Sequence, residues 1–375
     1  MIEESTSQKQ IRYAVVGLGH LAQVAVLPAF KNAQNSRLVA LVTGDPIKQK
    51  KLSAKYKIDR VYSYEQYDQC LADGVDAVYL VLPNHLHKEY AVRAAKAGVH
   101  VLCEKPMAVN SQDCEEMIRV ADEKGVKLMI AYRLHFEESH LQAINIVQQG
   151  TLGDLRIFTS EFTQQVTEGN IRLSNPVSQG GGPLYDMGIY CINAARYLFR
   201  AEPEEVFATE AHTSERRFEK AGEMVSVIMR FPEQRLASFT CSFGATDVSR
   251  YSLIGTRGLL SGDPAYDYSG ELKQHLVVEG KRVSRKFPKR DQFGPELIYF
   301  SNCILNDKQP EPSGLEGLAD VRIIEAIYES VQTQKPVKVP VLAHKRRPEL
   351  EQQISRPGHE EPELVNAKPP SGEAA

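Results

Sequence analysis

The chain has 375 residues, 42% of them hydrophobic and 25% charged, with a formal net charge of −3. That length exceeds what one compact core holds and suits two domains plus a tail. Mild acidity excludes charge-driven binding to nucleic acid or anionic membrane, and no run of about 18 apolar residues is present to cross a bilayer. Met1 to Gln10 is polar and lacks the basic and apolar regions of an export signal, so a cytoplasmic protein is expected. The six cysteines are scattered without a CxxC pair, which reads as reduced, buried thiols and no metal site.

Ile11 to Gly17 is a short apolar run ending in glycine and predicts a buried parallel strand. A helix is expected from His20 to Asn32, a strand over Leu38–Thr43, and a charged helix from Pro46 to Tyr56. Strands follow at Ala77–Leu82, His100–Cys103 and Lys127–Ala131, with helices between them at Lys88–Ala97 and Ser111–Lys124. Such alternation predicts an α/β fold opening with a doubly wound parallel sheet of Rossmann type.

From Leu155 the pattern changes to β-rich runs without long helices between them, ending near Asp263. They predict an α+β domain with a large, mainly antiparallel open sheet. Helices from Ser301 towards Leu305 and over Gly317–Gln332 are expected to pack back on the first domain. The expected division is a dinucleotide-binding domain over 1–132, a substrate-binding and oligomerisation domain over 133–340, and a polar, loosely attached tail over 341–375.

Gly17-Leu18-Gly19-His20-Leu21-Ala22 is GxGxxA, lying between a strand and a helix as the dinucleotide fingerprint requires. Gly17 permits the tight turn, Gly19 lets backbone approach a pyrophosphate, and Ala22 allows close helix–strand packing. The helix N-terminus then offers N–H groups to the phosphates. The second strand ends in Thr43, where versions that bind an unphosphorylated ribose usually carry an acid. Thr43-Gly44 and Lys48 suit a 2′-phosphate, so NADP is favoured over NAD, with Asp45 as the counter-evidence. Pro83 and Asn84 follow a strand at the end where ligands bind in doubly wound sheets. His87 either lies near the nicotinamide or caps the following helix.

Glu104-Lys105-Pro106 also sits at a strand terminus. Lys105 is a candidate to bind a substrate oxygen, with its pKa lowered by desolvation and by a cationic nicotinamide, and Glu104 to orient it.

GLGHLA, LPNHLHKEYAVRAAKAGVHVLCEKPMA, GGGPLYDMGIYCINAARYLF and EGLADVRIIEAIYES occur in this order between Gly17 and Ser330. Together they resemble the glucose–fructose oxidoreductase / inositol dehydrogenase (Gfo/Idh/MocA) family, closest to its glucose–fructose oxidoreductase-like branch, from about Ile11 to Val339. The resemblance implies an NADP-dependent enzyme moving a hydride to or from a sugar or polyol. It implies Lys105 as the central catalytic residue, Asp186 orienting substrate and lysine, and Tyr190 as acid/base. It places Tyr132 and Arg133 beside cofactor and substrate, and Arg172 and Tyr268 near the sugar. A homodimer or homotetramer is implied as well. The export signal and N-terminal arm of the periplasmic members have no counterpart here, which leaves permanent retention of NADP open. Two other readings stand beside the sugar enzyme: a non-catalytic NADP(H)-binding sensor, and a dehydrogenase of the same family acting on a non-sugar substrate.

Overall fold

The computed structural model describes residues 9–340, 342 and 347–369. Its first layer is a six-stranded sheet of β1 (Ile11–Val16), β2 (Ser36–Val42), β3 (Arg60–Tyr62), β4 (Ala77–Leu80), β5 (His100–Glu104) and β6 (Leu128–Ala131). The strands run parallel in the order β3-β2-β1-β4-β5-β6. This is the doubly wound sheet that the alternating pattern predicts, with order reversing between β1 and β4. The residues of β4 are all buried, as expected for a strand covered on both faces. The expected helix after the glycine motif is three short pieces: a π-helical turn at Ala22–Val26, α1 (Leu27–Ala29) and a 3-10 turn at Phe30–Asn32. Helices α2 (Pro46–Tyr56), α3 (Tyr67–Ala72), α4 (His87–Lys96) and α5 (Ser111–Glu123) complete the crossovers.

After α6 (Glu138–Gln148) comes β7 (Leu155–Thr163), followed by α7 (Ile189–Phe199). The remaining strands are β8 (Glu205–Ala211), β9 (Met224–Phe231), β10 (Arg235–Ser242), β11 (Val248–Gly255), β12 (Gly258–Gly262), β13 (Leu272–Val278), β14 (Lys281–Phe287) and the short β15 (Val337–Lys338). They form one nine-stranded sheet in the order β14-β13-β12-β11-β7-β10-β9-β8-β15, antiparallel except for the β7–β10 pair. One face is the core: Phe158, Phe239, Leu253 and Met229 are buried. The other face presents Ile157, Leu236, Ile254, Phe207 and Ile228 to solvent, the alternation an open sheet requires.

Helix α8 (Gly294–Leu305) returns to the first sheet, where the Tyr13 and Ser301 hydroxyls meet at 2.8 Å. Helix α9 (Gly314–Thr333) packs between α5 and β8 and so touches both layers. At this junction Arg196 of α7 is wholly buried among charges. Its Nη1 lies 2.7 Å from Glu316 Oε1 and 2.6 Å from Asp320 Oδ1, and its Nε lies 2.6 Å from Glu202 Oε2.

The tail departs from expectation. Residues 347–369 run back across the protein rather than hanging free. Arg347 pairs with Glu202, Gln352 Nε2 donates to Glu311 Oε2 at 2.9 Å, and His359 Nε2 lies 2.8 Å from Val24 O. A polar composition was read as weak attachment, but here the polar groups find buried partners. Residues 341, 343–346 and 370–375 of the expected tail lie outside the described residues.

Removing Arg196 leaves the Glu316 and Asp320 carboxylates fully buried with only the more distant Arg347 near them. Arg196→Leu is expected to cost about 3–5 kcal/mol of stability, read from urea unfolding; a loss below about 1 kcal/mol would show that the cluster is not held together by this charge.

Candidate active site

A cleft of about 1750 Å³ opens between the C-terminal ends of the parallel strands and the nine-stranded sheet. Ordinary ligand sites occupy roughly 300–1,000 Å³, so this one has room for a dinucleotide and a second small molecule together.

The dinucleotide half is built on the turn after β1. Gly17 has φ +90, and a Cβ there would come within 2.4 Å of Val81 O, so no other residue fits this turn. Gly19 has nothing within 4 Å of where its Cβ would be. That bare backbone facing the cleft is the cradle a pyrophosphate needs. His20 and Leu21 also line the cleft, whereas Ala22 is fully buried and serves only to pack the helical turn. At the end of β2, Thr43 and Lys48 line the cleft, while Gly44 turns towards the Tyr64 ring and is not part of the lining. Asp45 is already engaged: its Oδ1 accepts from the Ile47 and Lys48 amides at 2.8 and 3.2 Å, capping α2. Its Oδ2 accepts from Asn366 at 3.1 Å, and that bond, with the capping amides, lowers its pKa. The acid that argued for an unphosphorylated ribose is thus spent on capping and on the tail. Pro83 and Asn84 line the cleft, and Asn84 Nδ2 donates to Gly180 O at 2.7 Å. A Cβ at Gly180 would lie 2.8 Å from Asn84 Cβ, so the glycine run lets the second domain close against this loop.

Two expectations are corrected. His87 does not reach the cleft: it is fully buried, with Nδ1 2.8 Å from Pro106 O and Nε2 2.9 Å from Leu82 O. It ties the loop after β4 to the Glu104-Lys105-Pro106 turn instead of touching a cofactor. Tyr132 is likewise buried, stacked on His135 at 5.3 Å, while its neighbour Arg133 faces the cleft.

The chemical half centres on Lys105, at the end of β5. Its Nζ donates to Asp186 O at 2.8 Å and to Asp186 Oδ1 at 3.1 Å. The same ammonium stands 4.9 Å from the centre of the Tyr190 ring, and Arg133 stands 5.0 Å from it. Asp186 lies in a π-helical turn at Leu184–Gly188 that leads into α7, which carries Tyr190. Such turns recur at functional sites, where they re-aim side chains. The sequence therefore brings Lys105, Asp186 and Tyr190 together as expected. Arg172 Nη1 lies 3.2 Å from Asp186 Oδ2 and donates to Gln164 Oε1 at 2.7 Å. No hydrogen-bond donor is aligned on Asp186 Oδ2, which is buried and faces the Arg172 guanidinium. Tyr268 closes the opposite side, with Arg133 5.3 Å from its ring.

Electrostatics run opposite to the expected lowering of Lys105. Burial works against its charge, but Tyr190, Asp186 and Glu104 outweigh burial and raise its pKa. Burial likewise opposes the Asp186 carboxylate, yet Arg172 and Lys105 hold its pKa below the ordinary value. The site therefore holds a charged pair.

Behind Lys105 lies a group the sequence reading missed. The Tyr79 hydroxyl is 2.9 Å from Glu104 Oε1 and 3.2 Å from Glu296 Oε2. Burial raises the pKa of both carboxyls; Lys105 draws Glu104 back, while Glu104 pushes Glu296 further up. Arg133 is fixed through Gln292 and the Tyr266 carbonyl. No motif points to Gln292 or Glu296; the chain entering α8 delivers them. Asn366 to Pro369 of the tail also line the cleft.

Comparison with known proteins fits this geometry. Residues 11–132 match the family model described as an oxidoreductase family with an NAD-binding Rossmann fold, and residues 140–261 match the GFO/IDH/MocA C-terminal domain. A D-xylose 1-dehydrogenase [NADP(+)] of Haloarcula marismortui is 31% identical over 344 residues, 90% of this chain and 95% of that protein. The chain belongs to the GFO/IDH/MocA family of oxidoreductases. An aldose-aldose oxidoreductase from Caulobacter crescentus, solved with glycerol, is similar at 37% identity and a TM-score of 0.84, covering 88% of this chain and all of that one. A 3-ketoreductase from Actinomadura kijaniata, solved with NADP and TDP-benzene, aligns at 26% identity and a TM-score of 0.78, over 86% of this chain and 98% of that one. The parallel sheet followed by a large, mostly antiparallel one is the architecture expected from the sequence.

Proposed function

We propose that this oxidoreductase interconverts a sugar or polyol hydroxyl and its carbonyl, with Tyr190 exchanging the hydroxyl proton and Lys105 as the supporting cation. The cofactor is NADP and the enzyme acts on CH–OH groups, as the xylose dehydrogenase and the ketoreductase named above do. Thr43 and Lys48 at the end of β2, with Asp45 engaged elsewhere, fit a phosphorylated ribose. When bound, the nicotinamide supplies or accepts the hydride, which is chemistry no side chain provides.

The chain's own part is to hold the reacting oxygen and move its proton. During oxidation the Tyr190 oxygen, as phenolate, takes the substrate hydroxyl proton as the C–H bond weakens; in reduction the Tyr190 hydroxyl gives its proton to the oxygen of the new alcohol and is left as phenolate. Lys105 and Arg133 place two positive charges against the tyrosine ring, where negative charge develops when a proton leaves. Asp186 fixes the ammonium through two hydrogen bonds, at its carbonyl and at Oδ1, and pairs with Arg172 through Oδ2. Arg172 and Tyr268 offer donors to further hydroxyls, and a polyol needs several such contacts for its orientation. The observation that carries the reading is the 4.9 Å approach of Lys105 to the Tyr190 ring in a cleft that also contains the bare Gly19 turn. A sensor would bind the nucleotide without needing this proton-transfer group.

The open sheet face supports a homodimer or homotetramer. Ile254, Ile157 and Leu236 stand in register on adjacent strands and are 37%, 42% and 48% exposed. An apolar row of this kind is costly in water and favourable against a second copy.

With an aldose panel, Lys105→Ala and Tyr190→Phe are each expected to lower kcat by about 10²–10⁴-fold, while NADP titrations stay within a few fold of the parent. Near-normal kcat in both variants would refute the assignment. Light scattering should give a mass of two or four chains, with Ile157→Arg shifting it towards one; a monomeric parent would refute the sheet-face association.

A further inference from the structure

The tail is tied to three parts of the cleft rim that are otherwise independent of one another. Val365 forms a two-way bond with the Gln23 side chain: its N–H donates to Gln23 Oε1 at 2.8 Å, and Gln23 Nε2 donates to its carbonyl at 2.9 Å. Gln23 is 1% exposed, and its Nε2 also donates to Leu18 O at 3.0 Å, inside the glycine turn itself. One residue on, Asn366 Nδ2 donates to Asp45 Oδ2 at 3.1 Å, at the end of β2 where the adenosine ribose of a dinucleotide belongs. Three residues further, Pro369 O accepts from Asn170 Nδ2 at 3.0 Å, in the loop after β7 on the other side of the cleft. Between these anchors, Asn366, Ala367, Lys368 and Pro369 line the cleft. The segment thus bridges the two domains over the adenosine half of the site.

We propose that Val365–Pro369 is a cofactor-binding segment: it closes over the adenosine end of NADP, adds the charge of Lys368 to the cleft that Lys48 also lines, and must lift before the nucleotide leaves. This rests on the NADP reading above. The bridging geometry gives the reason. A dinucleotide lying from the glycine turn to Thr43 would sit under a chain held at Gln23, Asp45 and Asn170, so release requires breaking those bonds together. Each hydrogen bond holds only modestly on its own, which suits a strap that opens between turnovers rather than a permanent seal. Lys368 is placed by the strap rather than by the Rossmann core, so its contribution is lost when the strap is removed.

The test is the dissociation rate of NADPH, followed by its fluorescence in displacement experiments with the full chain and with a chain ending at Leu364. The shortened chain keeps the Arg347, Gln352 and His359 contacts. It is expected to release NADPH on the order of tenfold faster, the equivalent of about 1.4 kcal/mol. In the full-length chain, Lys368→Ala should weaken NADP more than NAD, and Asn366→Ala should speed release of both. Hydrogen exchange at the Val365 amide should slow when NADP is added. If the shortened chain does not fold, the two full-length variants and the exchange measurement decide. Release rates unchanged in both variants, with exchange at Val365 indifferent to NADP, would overturn the proposal. Failure of the parent chain to bind NADP at all would instead sink the cofactor reading on which it rests.

Discussion

The structure turns on one ion pair that spans its two domains: the Lys105 ammonium at the end of β5 and the Asp186 carboxylate in the turn before α7. Neither charge would be stable in that position alone, since burial opposes both and only the partner, with Tyr190, Arg172 and Glu104 around them, keeps each ionised. The pair ties the end of β5 to the turn before α7. It also fixes where Tyr190 stands, because Asp186 and Tyr190 ride on one continuous helical segment. The cleft exists because these elements converge at the end of the sheet where the strand order reverses.

Support for this arrangement lies one layer back. Glu104, Tyr79 and Glu296 form a buried hydrogen-bonded group next to Lys105, and His87 ties the turn of Lys105 to the loop that carries Pro83 and Asn84. Further from the cleft, Arg196 gathers Glu202, Glu316 and Asp320, joining α7 to α9 and, through Arg347, to the tail. Buried charge on this scale is weak evidence for stability, but it is sensitive to register. It suits a protein in which α7, and Tyr190 with it, is held at one angle to the parallel sheet.

Much of this was legible in the sequence because the signals were local. The alternation of apolar runs and helical stretches carried the parallel sheet, the period-2 pattern of Met224 to Phe231 carried the open one, and GxGxxA carried its own turn. Lys105, Asp186 and Tyr190 were legible as a group through the family resemblance, with the four-residue spacing of the last two placing them on one helix face. The β13–β14 hairpin was missed, although Glu279-Gly280 adopts φ of 50 and 78, the tight-turn geometry that glycine favours. His87 was misplaced because sequence shows a histidine near a strand end but not the two carbonyls that enclose it. Glu296 and Gln292 could not be found, since they reach the site from the far side of the sheet through a helix with no polar signature. The tail was misread for a related reason: charged and proline-rich residues resemble a loose chain until their partners, Glu202, Gln23 and Asp45, are seen.

The central claim is that the lysine and the tyrosine act on the same substrate oxygen. A crystal structure of the full chain with NADP and a bound aldose or polyol measures this directly. The account predicts one sugar oxygen within hydrogen-bond distance, roughly 2.6–3.2 Å, of both Lys105 Nζ and Tyr190 Oη. A sugar whose reacting oxygen is held by neither group, or by Lys105 with Tyr190 turned away, would contradict it.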